Sequence, residues 1–466
     1  MPPITIKELL ASPAPAAGVA ARGWIKTRRD SKVMSFAELN DGSCRASLQV
    51  VFSAENGDFS GILPSLVTGA AAEIQGDLVA SPAAGQKYEL LARQVKLYGG
   101  CDPEKYPIQK KKTSDEFLRT VAHLRPRTNK YAAMLRIRAE LAYSVHKYFH
   151  DNGFFYVNTP IITASDGEGA GEMFTATTMD LSNLAALPRT DKGELDFSKE
   201  LLGKKTYLTV TGQLEGESLA LALGKIYTFG PTFRAENSNT YRHASEFWMI
   251  EPEMAFYELQ DDMELAEDFI KSITKNILEK CPSDMELFAK YVEPALMDNL
   301  RNITENKFER LAYTDAVKLL EPVNERFEVK VSWGVDLASE HERFLVEHYF
   351  KKPVILYNKP KDAAAFYMKL NDDGRTVLGM DVLVPRIGEV IGGSERENRL
   401  DVLEKKMADA HIDPLPYWWY LDLRRYGSVP HSGFGLGFER MLMLVTGISN
   451  IRDVSAFPRV PGYAEF

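Results

Sequence analysis

The chain has 466 residues, 45% apolar and 26% charged, which is ample material for packed cores and argues against a disordered protein. That length suits about three domains, or two large ones. The formal charge is −9, from 56 basic and 65 acidic residues, and as a total it argues against a protein that coats nucleic acid. Residues 1–103 read as β-rich: Val19–Ile25, Ser35–Leu39, Ser47–Phe52, Ala71–Val79 and Lys87–Tyr98 are strand-like runs separated by turn signals such as Asn40-Asp41-Gly42. Five short strands in this length suit a small barrel of the oligonucleotide-binding (OB) kind, or equally a small sandwich.

The composition then shifts. From Glu104 to Lys147 there are 11 Lys or Arg against 4 Asp or Glu, while residues 1–103 balance at zero and the remainder carries −16. The surplus includes Lys110-Lys111-Lys112 and Arg125-Pro126-Arg127, and 104–130 taken alone reads as a solvated basic hinge. From Tyr131 a long amphipathic helix is predicted, with Met134, Ile137, Leu141, Val145 and Phe149 at three- or four-residue steps and Gly153 as its stop. Phe154–Val157 continues as a strand ending near Pro160. Residues 178–205 are polar and punctuated, as a surface insertion would be. Helical patterns dominate 261–325, and strands alternate with helices from Val329 onward.

Three segments carry chemistry. The first is that helix with the strand and Pro160 after it, unremarkable by itself. The second, Phe233-Arg234-Ala235-Glu236 and Glu246-Phe247-Trp248-Met249-Ile250-Glu251 about a polar loop, reads as an antiparallel hairpin. Arg234 shares a face with Glu236, and Phe247 with Glu251, if the strands are regular. Arg beside an aromatic suits a nucleotide, one for phosphate and one for base stacking, although a cross-strand ion pair would use the same residues. The third is Gly433-Phe434-Gly435-Leu436-Gly437-Phe438-Glu439-Arg440. Glycines at alternate positions leave one strand face as bare backbone, on which a flat ligand can lie, with Arg440 at the start of the following helix. A Rossmann phosphate loop does not fit, because no βαβ unit can follow so near the end of this sequence.

Together and in this order, the three segments resemble the signature motifs of the class II aminoacyl-tRNA synthetases, over about residues 131–466. The resemblance implies an α+β protein: an N-terminal five-stranded OB-fold barrel for the anticodon (1–103), the hinge, and a catalytic domain (131–466) built on a six-stranded antiparallel sheet flanked by helices. Insertions are expected near 178–205 and 261–325. A barrel ahead of the catalytic domain is similar to the aspartyl, asparaginyl and lysyl branch, and the first motif then lies at a homodimer interface. Within that branch, Val210-Thr211-Gly212-Gln213-Leu214-Glu215-Gly216-Glu217 and the run from Phe229 to Thr240 resemble the asparaginyl version. The lysine that aspartyl relatives carry just after the equivalent of Gln213 is missing, and carboxylates stand nearby instead. A carboxylate accepts from an asparagine amide but meets a like charge on aspartate, at a cost of several kcal/mol in order of magnitude.

The resemblance implies ATP and Mg²⁺ as cofactors, asparagine and its tRNA as substrates, and these roles. Arg234 contacts the α-phosphate, and His243 and Arg440 the distal phosphates. Glu236 accepts from the adenine amino group, Phe247 stacks on the ring, and Gly437 lines the nucleotide site. Asp381 and Glu389 hold Mg²⁺. Glu168, Gln213 and Glu251 bind the α-ammonium. Glu217, with Glu215 as the other choice, reads the side-chain amide, and Arg396 its carbonyl. In the barrel, Phe36 stacks on an anticodon base, with Gln49 and Glu89 reading others, unless Phe36 is a core residue. The rival within the branch is a non-discriminating aspartyl enzyme.

Three scattered cysteines without a CxxC pair suit a reducing, cytoplasmic setting. No apolar stretch is long enough for a bilayer, and Met1-Pro2-Pro3-Ile4 lacks the pattern of a signal peptide, so no membrane association is expected. His341 and His348, seven apart, do not make a zinc spacing.

Overall fold

A computed structural model describes residues 4–109, 113–167 and 172–466. The chain divides into two compact units, Met1–Arg136 with Phe466, and Ile137–Glu465. The basic stretch expected to form a separate hinge clusters with the first unit, and the division falls inside a helix, Asn129–Asp151. Lys110-Lys111-Lys112 lie outside the described residues.

In the first unit β1 (Ala16–Asp30), β2 (Met34–Asn40), β3 (Leu48–Ser53), β4 (Ala71–Ala80) and β5 (Tyr88–Gly99) close a barrel in the order β1-β2-β3-β5-β4. Alternate residues point inward, and Ala37, Leu39, Leu48, Val50, Ile74, Leu78 and Leu90 share one core. Each such leucine or isoleucine stabilises the barrel by roughly 1.5–3 kcal/mol. A short helix, Ile6–Leu10, adds Ile6 and Leu9 to that core, and Thr5 and Glu8 cap it reciprocally. Gly76 sits at the register shift of β4 against β5, where any Cβ would collide with the Leu91 carbonyl.

In the second unit the predicted stripe of helix Asn129–Asp151 is buried from Ile137 through Leu141 and Val145 to Phe149. Phe149 stacks on Tyr227 at 4.6 Å and meets Phe269 at 4.7 Å. The short strand β6 (Phe155–Tyr156) follows. Then β7 (Ile162–Thr163), β8 (Thr175–Ala176) and β9 (Thr206–Leu208) form a small sheet in the order β7-β9-β8. The main sheet adds β10 (Lys225–Phe233), β11 (Glu246–Ala255), β12 (Glu309–Ala312), β13 (Val354–Pro360), β14 (Thr376–Val384), β15 (Gly388–Glu395) and β16 (His431–Gly437). Its order is β12-β13-β14-β15-β16-β11-β10-β6. The six middle strands are antiparallel, as expected, and the edge strands β6 and β12 pair parallel, making eight strands in all.

Residues 178–205 connect β8 to β9. They are anchored by Glu200, which accepts from the backbone and hydroxyl of Thr178 and from the Thr177 hydroxyl, so that its carboxyl is held down at about 2. The segment 261–325, expected as an insertion, packs into the second unit. Its first helix, Leu259–Lys280, buries Phe269 against Phe149 and Tyr148, and its strand β12 extends the main sheet.

Candidate active site

The glycines of β16 and β15 make the floor. Gly392 lies opposite Gly435, so bare backbone covers two adjacent strands. On the other face Phe434, Leu436 and Phe438 are buried. One carboxylate ties the three sequence motifs together: Glu439 accepts from Arg138 of the long helix at 2.9 Å and from the Trp248 backbone of β11 at 2.9 Å. The Glu439-Arg440 pair therefore divides its work, Glu439 holding the motifs in place and Arg440 facing the cavity.

A cavity of about 270 Å³ lies over this floor, lined by Arg234, Glu236, Arg242, His243, Phe247, Met249, Glu389, Gly435, Gly437 and Arg440. All seven residues expected at the nucleotide are among them. β10 ends at Phe233, so Glu236 belongs to the loop rather than to a regular strand, yet it reaches the same cavity. The loop is pinned from outside by Arg452, which donates to Asn239 at 2.6 Å, and by Ile451, whose backbone donates to Tyr241 at 2.9 Å. The Arg234 guanidinium lies 5.5 Å from the Phe247 ring centre. Arg440 donates to the Glu389 carbonyl at 3.0 Å. Burial, then Arg440 and Arg242, lowers the His243 pKa. Arg242 was not anticipated. It stands beside His243 in sequence, donates to the Ile387 carbonyl at 2.7 Å and lies 3.7 Å from Glu342.

Asp381 and Glu389 come from neighbouring strands and converge above Gly392: a Cβ there would stand 3.2 Å from Glu389 Oε1 and 3.7 Å from Asp381 Oδ1. Lys359 pairs with Asp381 at 2.7 Å. Burial pushes Asp381 up to about 6, Lys359 pulling against it and Glu389 adding to the rise. Two hard oxygen donors on one bare patch beside the cavity fit a divalent cation that also takes phosphate oxygens.

A second cavity, of about 240 Å³, shares Arg234, Met249, Glu389 and Gly435 with the first. It is lined further by Thr211, Gln213, Glu251, Glu253, Lys359, Tyr367, Asp381 and Arg396. Phe247, Met249, Glu251 and Glu253 are alternate residues of β11, so one strand face runs through both cavities. Glu251 is braced by the Gly212 backbone at 3.0 Å and the hydroxyls of Thr228, at 2.7 Å, and Thr211. Arg396 is clasped in bidentate fashion by Glu253 and donates to Ser394 at 2.8 Å.

The placing of Glu217 corrects the sequence expectation. It is fully buried and is not among the lining residues. Its oxygens accept from Arg424 at 2.7 Å, Tyr420 at 2.9 Å and Gln213 at 3.1 Å, and His431 stands at 3.0 Å. Burial opposes its charge, but Arg424, His431 and Arg396 hold its carboxyl well below the usual range. Glu215 faces another cavity, with Ser218 and Trp418. The acid beside Arg396 is Glu253, two residues beyond Glu251, which strand alternation puts on the same face. Burial pushes Glu253 up to about 8 against the pull of Arg396, with Glu217 and Glu251 adding to the rise. Glu168 lies outside the described residues. His341 has both ring nitrogens on backbone, of Ala338 at 3.0 Å and Val329 at 2.7 Å.

On the barrel, Phe36 is half-buried and lies out of phase with Ala37 and Leu39, the core residues of β2, so it is not a core side chain. The Arg29 guanidinium lies 4.8 Å from its ring centre and donates to Gln49 at 3.2 Å, and Gln49 donates to Glu89 at 3.2 Å. The three expected residues thus meet on one face, joined by an arginine the sequence reading did not single out.

Residues 114–461 match the family model of class II tRNA synthetases (D, K and N), and residues 19–98 match that of the OB-fold nucleic acid binding domain. The chain is 55% identical over 461 residues to an asparagine–tRNA ligase of Nitratidesulfovibrio vulgaris, covering 99% of each. It is 54% identical over 461 residues to one of Nostoc, again over 99% of each. The structure matches asparaginyl-tRNA synthetase of Pyrococcus horikoshii complexed with asparaginyl-adenylate with a TM-score of 0.86 and 30% identity, covering 100% of this chain and 99% of that one. No helix among the described residues is long and apolar enough to cross a membrane. The chain belongs to the class II tRNA synthetases of the D, K and N group, in the asparagine–tRNA ligase branch.

Proposed function

We propose that this protein activates asparagine with ATP and transfers it to the 3′ end of an asparagine tRNA. The observation that carries this reading is the pair of cavities joined along one face of β11, with Arg234 in their shared wall and Arg396–Glu253 lining the second. ATP lies over the glycine floor, its base on Phe247 with Glu236 accepting from the adenine amino group, and its distal phosphates toward His243, Arg242 and Arg440. Asparagine occupies the second cavity. Gln213 and Glu251 hold its ammonium, Arg396 donates to the side-chain carbonyl, and Glu253, when ionised, accepts from the amide. Glu217 supports Gln213 and Arg396 from behind.

The asparagine carboxylate attacks the α-phosphorus in line, a new O–P bond forms, and pyrophosphate leaves with the electrons of the broken bond. Arg234 neutralises charge that builds on the α-phosphate, and the cavity walls fix the approach, so no covalent enzyme intermediate is needed. Asp381 and Glu389 would hold Mg²⁺, which supplies charge neutralisation at the phosphates. The 3′-hydroxyl of the terminal adenosine of tRNA then attacks the acyl carbon and AMP leaves.

The barrel face of Phe36, Arg29, Gln49 and Glu89 suits splayed anticodon bases by stacking and edge contacts. Phe36→Ala lowers tRNA charging about tenfold while asparagine-dependent pyrophosphate exchange is unchanged, a contrast read by running both assays on one preparation. A homodimer is favoured by the edge strand β6 with its exposed Phe155 and Tyr156, and by the exposed Tyr143 of the preceding helix, at 56%, 54% and 62% exposure. Such an enzyme works in the cytoplasm, with tRNA. The test of the activity is ATP–pyrophosphate exchange with each standard amino acid in turn. Exchange with asparagine alone supports the reading, equal exchange with aspartate supports the non-discriminating alternative, and exchange with neither removes both.

A further inference from the structure

Asparagine brings an ammonium, a side-chain amide and a carboxylate to the second cavity. Gln213 and Glu251 answer the first, and Arg396 with Glu253 the second. Three cations line that cavity among the described residues: Arg234, Arg396 and Lys359. Arg396 is clasped by Glu253, and Arg234 stands in the wall shared with the nucleotide cavity. Lys359 is left to face the carboxylate.

An irregularity of the sheet puts Lys359 there. β13 and β14 pair with Leu356 opposite Asp381 and Tyr357 opposite Met380, and in that register Lys359 would lie opposite Leu378 and face away from Asp381. The register shifts after Tyr357, and Lys359 comes opposite Val377, which shares the face of Asp381 by alternation. Asn358, the residue between, takes a φ of 59°, a left-handed conformation that a residue other than glycine adopts at a cost. Asn371 braces it by donating to its side-chain oxygen at 3.2 Å. Bulges beside active sites re-aim side chains, and here the side chain is a lysine whose ammonium pairs with Asp381 at 2.7 Å while 14% of the side chain stays open. An ammonium has three donors, and Asp381 takes one. Burial works against its charge, but Asp381, Asp336 and Glu389 together keep it protonated.

We propose that Lys359 is a further substrate-binding residue: its ammonium donates to one oxygen of the asparagine carboxylate and leaves the other to attack the α-phosphorus beside Arg234. This rests on the reading that asparagine occupies the second cavity. Glu251, Glu253, Asp381 and Glu389 line the same space, so an incoming carboxylate meets like charges unless a cation stands in front of them. Lys359 is that cation on the Asp381 side. A carboxylate free to turn offers no fixed attacking atom, whereas one held by a charge-assisted hydrogen bond does. Asp381, pairing with the ammonium from behind, sets where it stands, so the amino-acid subsite and the Asp381–Glu389 pair are joined through one lysine.

The test is asparagine-dependent pyrophosphate exchange by the full-length enzyme, with L-asparaginol as competitor. Asparaginol keeps the ammonium and the side-chain amide and carries a neutral CH₂OH in place of the carboxylate. In Lys359→Met the KM for asparagine rises about tenfold, while the inhibition constant of asparaginol stays within about twofold of the wild type. A merely structural role weakens both ligands alike and overturns the proposal, as does an unchanged KM for asparagine. A rise in the KM for ATP alone assigns Lys359 to Asp381 and the phosphates, and overturns it too. Where Lys359→Met leaves Asp381 unpaired and does not fold, Lys359→Gln, which still donates to Asp381, is read by the same two constants. The wild type separates the two levels. Exchange with asparagine, competed by asparaginol, upholds asparagine as the substrate whichever way the variants turn out, and its absence removes that reading and the proposal together.

Discussion

The two halves of the site are built by different rules. In the nucleotide cavity the charged residues come from few places: Arg234, Glu236, Arg242 and His243 from one hairpin, Arg440 from the first turn of helix Phe438–Thr446, and Glu389 from β15. In the amino-acid cavity the groups come from β11, β13, β14, β15, the residue after β15 and helix Gln213–Leu223, and they are stacked in depth. Glu217 follows Gln213 by one helical turn, on the same face, yet Gln213 lines the cavity and Glu217 lies behind it, bonded to it at 3.1 Å. Charge at the nucleotide end lines open space. Much of the charge at the other end is spent on keeping the wall in shape.

That contrast can be broken at its shared wall first. Arg234→Ala removes the group common to both cavities and lowers asparagine-dependent pyrophosphate exchange by about 10³-fold. Wild-type exchange in that variant would remove the assignment of the site. The next largest effect is on stability. Glu217→Gln strands Arg424 and weakens the hold on His431 and Gln213, costing about 3 kcal/mol, which a fall in the thermal midpoint of the purified enzyme measures. Glu236→Gln, an equal change of charge on an exposed loop, leaves the midpoint within about 0.5 kcal/mol and acts on the KM for ATP. Phe247→Leu then raises the KM for ATP about tenfold with little change in kcat, the loss of one stacked base in steady-state kinetics.

The smallest effect is a slope. Glu253 keeps its proton up to about pH 8 in the folded protein and only to the ordinary carboxylate range once unfolded. The folded state therefore binds the extra proton between those limits, and the stability this gives declines as pH rises from about 4.5 to 8. Melting curves at successive pH values show the wild-type midpoint falling over that window and Glu253→Gln falling less.

The same contrast explains what could be read from the chain. The five barrel strands, the amphipathic helix, the hairpin and the glycine strand each declare themselves by a local period, and the structure keeps all of them. Phe36 could be told from a core residue only once the inward set of β2, Ala37 and Leu39, was fixed. The integration of 261–325 was hidden because β12 is short and pairs only with β13, far along the chain. Depth was hidden too: helix spacing gives Glu217 its face but not its distance from the cavity, and the partners that seal it, Tyr420, Arg424 and His431, arrive some two hundred residues later. Glu253 was legible in principle from the alternation of β11.

The clasp made by Glu439 has a mechanical meaning. Helix Asn129–Asp151 carries Tyr143 outward and Arg138 inward, and Arg138 ends on Glu439, the residue before Arg440. The outer side of that helix is thus joined, through one ion pair, to the residue beside the arginine that lines the first cavity.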